Sequence, residues 1–220
     1  CLEKFGRRPL EYAEDLDWVG PDVWYAHMVH PSAAEIGAMA RHRCGACHCP
    51  SSNMILASGI APVREMLDRG VRVGLGVDGS ASNDGNHMLG EARQAMLLAR
   101  VSKGLEPFGC DHGPKEMTPR DALRLATRGG AQVLGRSHDL GQIQPGYCAD
   151  LALYRLDTVA MAGGAVHDPV GALLLCATAP ADFTVVHGRV VVKEGQLVTL
   201  DLPVMVERHN RHARNLAAQA

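Results

Sequence analysis

The chain has 220 residues, balances 22 basic against 24 acidic side chains for a formal net charge of −2, and is 46% hydrophobic. That length suits one domain with at most a small annex, and that hydrophobic share can build a soluble core. Scattered lysines and arginines near charge balance argue against a nucleic-acid or anionic-membrane partner, and no apolar run reaches the roughly 20 residues of a membrane span. Seven cysteines with no secretory signal at the start imply reduced thiols and a cytoplasmic location. Cys1 in place of an initiating Met leads us to expect a processed, truncated or partly sequenced chain.

Residues 1–17 predict the end of one helix, a turn at Pro9 and a short second helix. The β-branched, aromatic and apolar run 22–29 predicts a buried strand. Pro31 and Ser32 then open a helix to about Arg43, with Ala33, Ile36 and Met39 at helical spacing. A small-residue strand over 44–49 stops at Pro50, and a loop leads to a helix over 62–69 closed by Gly70. Residues 71–78 form the clearest strand, followed by a long helix over about 86–103 and a Gly/Pro/His loop over 104–117. Thr118, Pro119 and Asp121 supply an N-cap, a first-position proline and a first-turn acid for a helix running to about Leu134. The rhythm over 22–103 is that of parallel βα units. Beyond Gly141 the pattern changes to short strands at 150–155, 183–187 and 189–193, an all-β annex, before a charged helix over 202–217.

Two side chains stand where parallel sheets keep their chemistry, at the carboxyl ends of strands: His27 on the first strand and Asp78 at the end of the third. Gly74 and Gly76 share a strand face with Asp78 and leave room beside its carboxylate for a metal or substrate. From the residues alone, Asp78 also reads as a turn former before Gly79, and His27 as a satisfied core histidine. The run CGACH at 44–48 matches a c-type haem attachment pattern, and Cys44, Cys47, His48 and Cys49 offer soft ligands. Adjacent strand residues point to opposite faces, however, and no second ligand pair follows. Gly74, Gly76 and Gly79 match a dinucleotide-binding glycine pattern only formally, because position 98 falls inside a helix rather than at a strand tip.

The succession AHMVHPSAAEI, CHCPSSNMILASGIAPV and VGLGVDGSASND, followed by GQIQPGYCADLALYRLD and VVHGRVVVKEGQLV, resembles the amidohydrolase superfamily, in its aminohydrolase branch, over essentially the whole chain. The resemblance implies an α/β fold: strands 6–8 of a (β/α)8 barrel over residues 1–140, a β-sandwich annex over 141–200 and a C-terminal helix over 201–220. It implies a hydrolytic deaminase that releases ammonia from an aminated heterocycle, 8-oxoguanine or a related purine or triazine, through a water activated by one divalent metal, expected to be Zn2+. Asp78 and His27 then take the catalytic and metal-facing positions, Asp78 as ligand and proton shuttle and His27 orienting the water. Ser82 and Asn83 stand where the loop meets substrate, His48 and Asn53 are further pocket candidates, and His30 is as readily structural. The family also requires a strand-one H-x-H pair and a strand-five histidine with a glutamate three residues on. His27/His30 and His209/His212 have the wrong spacing and place for either. The chain is therefore expected to be inactive alone and to bind metal weakly, and the full-length protein is expected to be a homo-oligomer. Hydrolysis of another C–N or a C–Cl bond, and a remnant serving as an assembly module, are the competing readings.

Overall fold

The structure, a computed structural model, describes residues 1–105, 113–176 and 179–219. Two short helices lead in, α1 (Leu2–Phe5) and α2 (Pro9–Asp15), with Pro9 opening the second. Three parallel strands follow, β1 (Trp24–Ala26), β2 (Gly45–His48) and β3 (Arg72–Leu75), adjacent in chain order. Their register aligns Ala26 with Cys47 and Cys47 with Gly74. Helix α3 (Ala33–His42) connects β1 to β2, and α4 (Pro50–Ile55) with α5 (Val63–Asp68) connects β2 to β3. The predicted loop after Pro50 is thus a helix. Proline there fills the first helical position, where its missing N–H costs nothing. The strand predicted over 22–29 is shorter and less buried than its composition implies, because β1 pairs only with β2 among the described residues and Trp24 is exposed.

One face of this sheet carries the main core. Ala46, Val73 and Leu75 pack with Ile36, Met39, Met66, Ala92 and Met96, the last two from α6 (Met88–Gly104). The helix predicted from Thr118 is present in three parts, α7 (Pro119–Arg124), a π turn over Leu125–Gly129 and α8 (Gly130–Val133). The π turn sits where backbone meets backbone. A Cβ on Gly74 would lie 2.8 Å from the Gly130 Cα, and one on Gly129 would overlap the Val73 carbonyl oxygen. Only glycines allow α8 to lie this close to β3. Of the loop predicted over 104–117, residues 106–112 lie outside the described residues.

Helix α3 is fixed at its start by a charged cluster. Ser32 caps it, accepting from the Glu35 N–H at 3.2 Å, while the buried Glu35 carboxylate accepts from the Ser32 N–H at 2.7 Å, Arg8 Nε at 2.7 Å and the Leu10 N–H at 3.3 Å. Burial pushes the Glu35 carboxyl up, but the hydrogen bonds from Ser32, Arg8 and Leu10 outweigh it, and the net shift is downward. Glu35→Ala should cost about 3 kcal/mol, because it leaves the buried Leu10 N–H and the part-buried Ser32 N–H and Arg8 guanidinium without their acceptor; urea unfolding measures it, and a change no larger than that of an ordinary surface substitution would contradict this role.

The C-terminal part corrects the all-β expectation. Strand β4 (Leu151–Leu153) is separated from β5 (Phe183–Val186) by two helices, α9 (Gly164–His167) and α10 (Pro169–Leu175). Helix α10 is docked on α6 and α7: Leu174 joins the main core, Arg120 grips Asp168 with two bonds of 2.9 Å, and Arg93 donates to the Leu175 carbonyl at 2.8 Å. Strands β4, β5, β6 (Arg189–Lys193) and β7 (Gln196–Leu197) form one antiparallel sheet in chain order. The described residues thus hold a single layer here. His187–Gly188 and Glu194–Gly195, all at positive φ, make the two-residue turns that suit twisted hairpins. The chain ends in α11 (Leu202–Ala217), which has no buried residue. Among the described residues no helix is long and apolar enough to cross a membrane.

Candidate active site

His27 follows β1 directly. Its N–H donates to the Cys47 carbonyl at 2.8 Å, extending the parallel ladder by one bond. Asp78 follows β3 by three residues, and both side chains open to the same side. His27 Nε2 and Asp78 Oδ2 are 3.6 Å apart, with side chains 39% and 30% exposed, so solvent reaches both. Each residue has a left-handed backbone, φ 67° at His27 and 66° at Asp78. Such a conformation is uncommon outside glycine and persists only where surrounding contacts enforce it.

Contacts to the pair come from α4 and from the loop after β3. Ser52 Oγ donates to Asp78 Oδ2 at 2.6 Å, and Ser82 Oγ lies 3.1 Å from that oxygen and 2.9 Å from Ser52 Oγ. Asp78 Oδ1 accepts from the Gly79 N–H at 2.8 Å. The Ser52 hydroxyl, then the Gly79 N–H and the Ser82 hydroxyl, hold the Asp78 carboxyl below its ordinary range, so it is a carboxylate at neutral pH. One residue along α4, Asn53 Oδ1 lies 2.9 Å from His27 Nδ1.

The other sequence candidates fall on both sides of this pair. Ser82 touches Asp78. Asn53 is buried against His27, so it braces the histidine rather than lining an open pocket. Asn83 is buried too. Its amide donates to the Val77 carbonyl at 2.7 Å and Glu91 Oε1 at 2.8 Å, and its oxygen accepts from the Gly85 N–H at 3.0 Å. It therefore organises the loop after β3. His30 Nε2 pairs with the Ser58 carbonyl at 2.8 Å and does not join the site. The room expected beside Gly74 and Gly76 is also taken, by Gly130 at the first and by the Cys47 and Cys49 sulfurs at the second.

His48 ends β2 and is 1% exposed, with Nδ1 buried and unpartnered. Burial, aided by the nearby His27, pushes its pKa down to about 4, so the ring is neutral at neutral pH. Unfolding restores a pKa near 6.5, so the unfolded chain binds the extra proton between those values. Stability contributed by neutral His48 is full above about pH 6.5 and is lost as pH falls toward 4, by roughly 3 kcal/mol in total. Urea midpoints across that window should show the loss, and His48→Gln should flatten it; an unchanged slope in the variant would contradict the assignment.

Sequence reasoning missed two residues that organise the site. Ser52 carries the shortest contact to Asp78. Buried Glu91, in the first turn of α6, accepts from both the Ser51 N–H at 3.0 Å and Asn83, joining α4 to the loop after β3. An acid in a helix's first turn was the available signal for Glu91; nothing in the sequence marked Ser52 apart from Ser51. The six described cysteines are free thiols. Among the described residues no group of three or more His, Cys, Asp or Glu is placed to hold a metal.

The amidohydrolase family profile matches residues 1–198. The chain is 47% identical over 218 residues to 8-oxoguanine deaminase of Pseudomonas aeruginosa, covering 99% of this chain and 46% of that protein. It is 38% identical over 220 residues to 5-methylthioadenosine/S-adenosylhomocysteine deaminase of Natronomonas pharaonis, covering 100% and 48%. Among solved structures, atrazine chlorohydrolase from Arthrobacter aurescens complexed with zinc matches with TM-score 0.86 at 37% identity, covering 96% of this chain and 45% of that one. An adenosine deaminase from Xanthomonas campestris with bound zinc matches with TM-score 0.90 at 27% identity, covering 99% and 47%. The chain thus spans about half the length of the curated relatives it matches. Over the length that it does span, the chain belongs to the amidohydrolase family.

Proposed function

We propose that this chain supplies strands 6–8 of a (β/α)8 barrel and, with them, half of the active site of a metal-dependent hydrolytic deaminase. The observation that carries the reading is the pairing of His27 Nε2 with a locked Asp78 carboxylate, 3.6 Å apart and open to solvent at the carboxyl ends of parallel strands. The donor set fits a divalent ion of the zinc kind: one imidazole nitrogen and one carboxylate oxygen face each other 3.6 Å apart. Such an ion, when bound, supplies the positive charge that lowers the pKa of a water toward neutrality. Two ligands do not close a metal site, so the reading assigns the remaining ligands to protein outside these 220 residues.

Within that site Asp78, charged at neutral pH, accepts a proton from water and delivers it to the departing amine. Ser52 and Ser82 hold its Oδ2 in place, and the single lone pair of His27 Nε2 serves one of two roles, facing the ion or accepting a hydrogen bond that aims the water. A purine such as 8-oxoguanine is the favoured substrate, since the relative at 47% identity is an 8-oxoguanine deaminase. Hydrolysis of a chlorotriazine is the second reading, favoured by the match to atrazine chlorohydrolase.

A chimera tests both: residues 1–198 replace the matching segment of the Pseudomonas aeruginosa deaminase, and ammonia and chloride release are measured from 8-oxoguanine, guanine, S-adenosylhomocysteine and atrazine. Ammonia from 8-oxoguanine is the expected result. Chloride from atrazine without ammonia from any purine supports the second reading, and a folded, zinc-loaded chimera that releases neither sinks both.

A further inference from the structure

One short helical turn holds both reactive side chains. Ser52 and Asn53 are neighbours on α4, and they bond to Asp78 and His27 respectively. The Asn53 contact carries information that the Ser52 contact does not, because an amide oxygen can only accept. With the amide oxygen 2.9 Å away and the amide nitrogen buried without a partner, this bond forms only when His27 Nδ1 carries the proton.

The other side of the ring agrees. Nε2 stands 3.6 Å from Asp78 Oδ2, beyond a normal N–H···O bond. That oxygen is already engaged by two hydroxyls, Ser52 at 2.6 Å and Ser82 at 3.1 Å. Asp78 therefore offers little to an Nε2 proton, whereas Asn53 offers Nδ1 a buried partner, 2% exposed and rigid within α4. Which imidazole nitrogen is protonated follows the hydrogen bond that the other can make.

We infer that Asn53 is a positioning residue that fixes neutral His27 in its Nδ1–H form and so leaves the Nε2 lone pair bare toward Asp78. Either role proposed for His27, facing a metal or receiving a hydrogen from water, needs that lone pair. The inference deepens the proposed function and rests on it only for what Nε2 does. The proton's location is a property of the chain with neither metal nor substrate present, so it can hold or fail independently of deamination.

Long-range nitrogen–proton correlation spectra of the histidine rings, recorded on the metal-free chain under mildly alkaline conditions, read the tautomer directly. His27→Gln identifies its signals. The expected pattern is a protonated Nδ1 and a bare Nε2. Asn53→Asp, which keeps an acceptor, should preserve it, and Asn53→Leu, which has none, should convert His27 to the Nε2–H form or a mixture. Should Asn53→Leu fail to fold, the wild-type and Asn53→Asp spectra still decide. A proton on Nε2 in the wild-type chain overturns the inference, as does an unchanged tautomer in folded Asn53→Leu.

Discussion

Asp78→Asn in the zinc-loaded chimera should lower ammonia release by roughly 1,000-fold while leaving the fold intact. Under the proposed function that one substitution removes both a positioned general base and a negative metal ligand, which sets the size. The substitution is nearly isosteric, and at 30% exposure the side chain is not part of the packed core, so urea midpoints should barely move. Ser52→Ala removes only the group that holds Asp78 and should cost about 10- to 100-fold, the range for partners of reactive ligands. The order of the two effects matters more than either value. A Ser52→Ala loss exceeding that of Asp78→Asn would place the reactive group elsewhere.

The largest expected loss of stability comes from Gly129→Ala. A methyl there overlaps the carbonyl oxygen of Val73, and neither partner is a flexible side chain that can turn aside. Relief requires the π turn to lift off β3, which separates α8 from Gly74 and from Gly45, where Val133 packs. Overpacking in a core costs about 1–3 kcal/mol even where side chains can adjust, and this backbone contact should exceed that range. Gly130→Ala is the control, since a Cβ there meets nothing within 4 Å. Equal urea midpoints for the two variants would remove the packing explanation for the π turn.

What the sequence discloses of this fold and site follows from local against distant causes. His27 and Asp78 are legible because strand ends are marked by punctuation, the AHMVHP run and the Asp78-Gly79 step, and parallel sheets keep their chemistry there. The capping of α3 by Ser32 and Glu35 is legible for the same reason: both partners lie within four residues. Helix α4 is hidden because Pro50 is equally a strand stop and a helix start, and six residues are too few for apolar periodicity to decide. Helix α10 offers a readable signal in Asp168-Pro169 before VGALLL, but it is masked by the glycine-rich stretch before it and by strands on either side. The tertiary contacts lie beyond any local pattern. Ser52 reaches Asp78 across 26 positions and Glu91 reaches Ser51 across 40. The placement of Asn83 shows the converse: a polar residue next to a reactive carboxylate reads as a ligand contact, yet its hydrogen bonds all run inward to Val77, Gly85 and Glu91.

Anomalous diffraction at the zinc edge from crystals of the zinc-loaded chimera locates the metal directly relative to Asp78 and His27. A peak within coordination distance of an Asp78 oxygen, on the side that His27 Nε2 faces, is the predicted result. A fully occupied zinc elsewhere, with Asp78 still bonded only to Ser52, Gly79 and Ser82, would contradict the claim that this chain contributes half of a metal-dependent site.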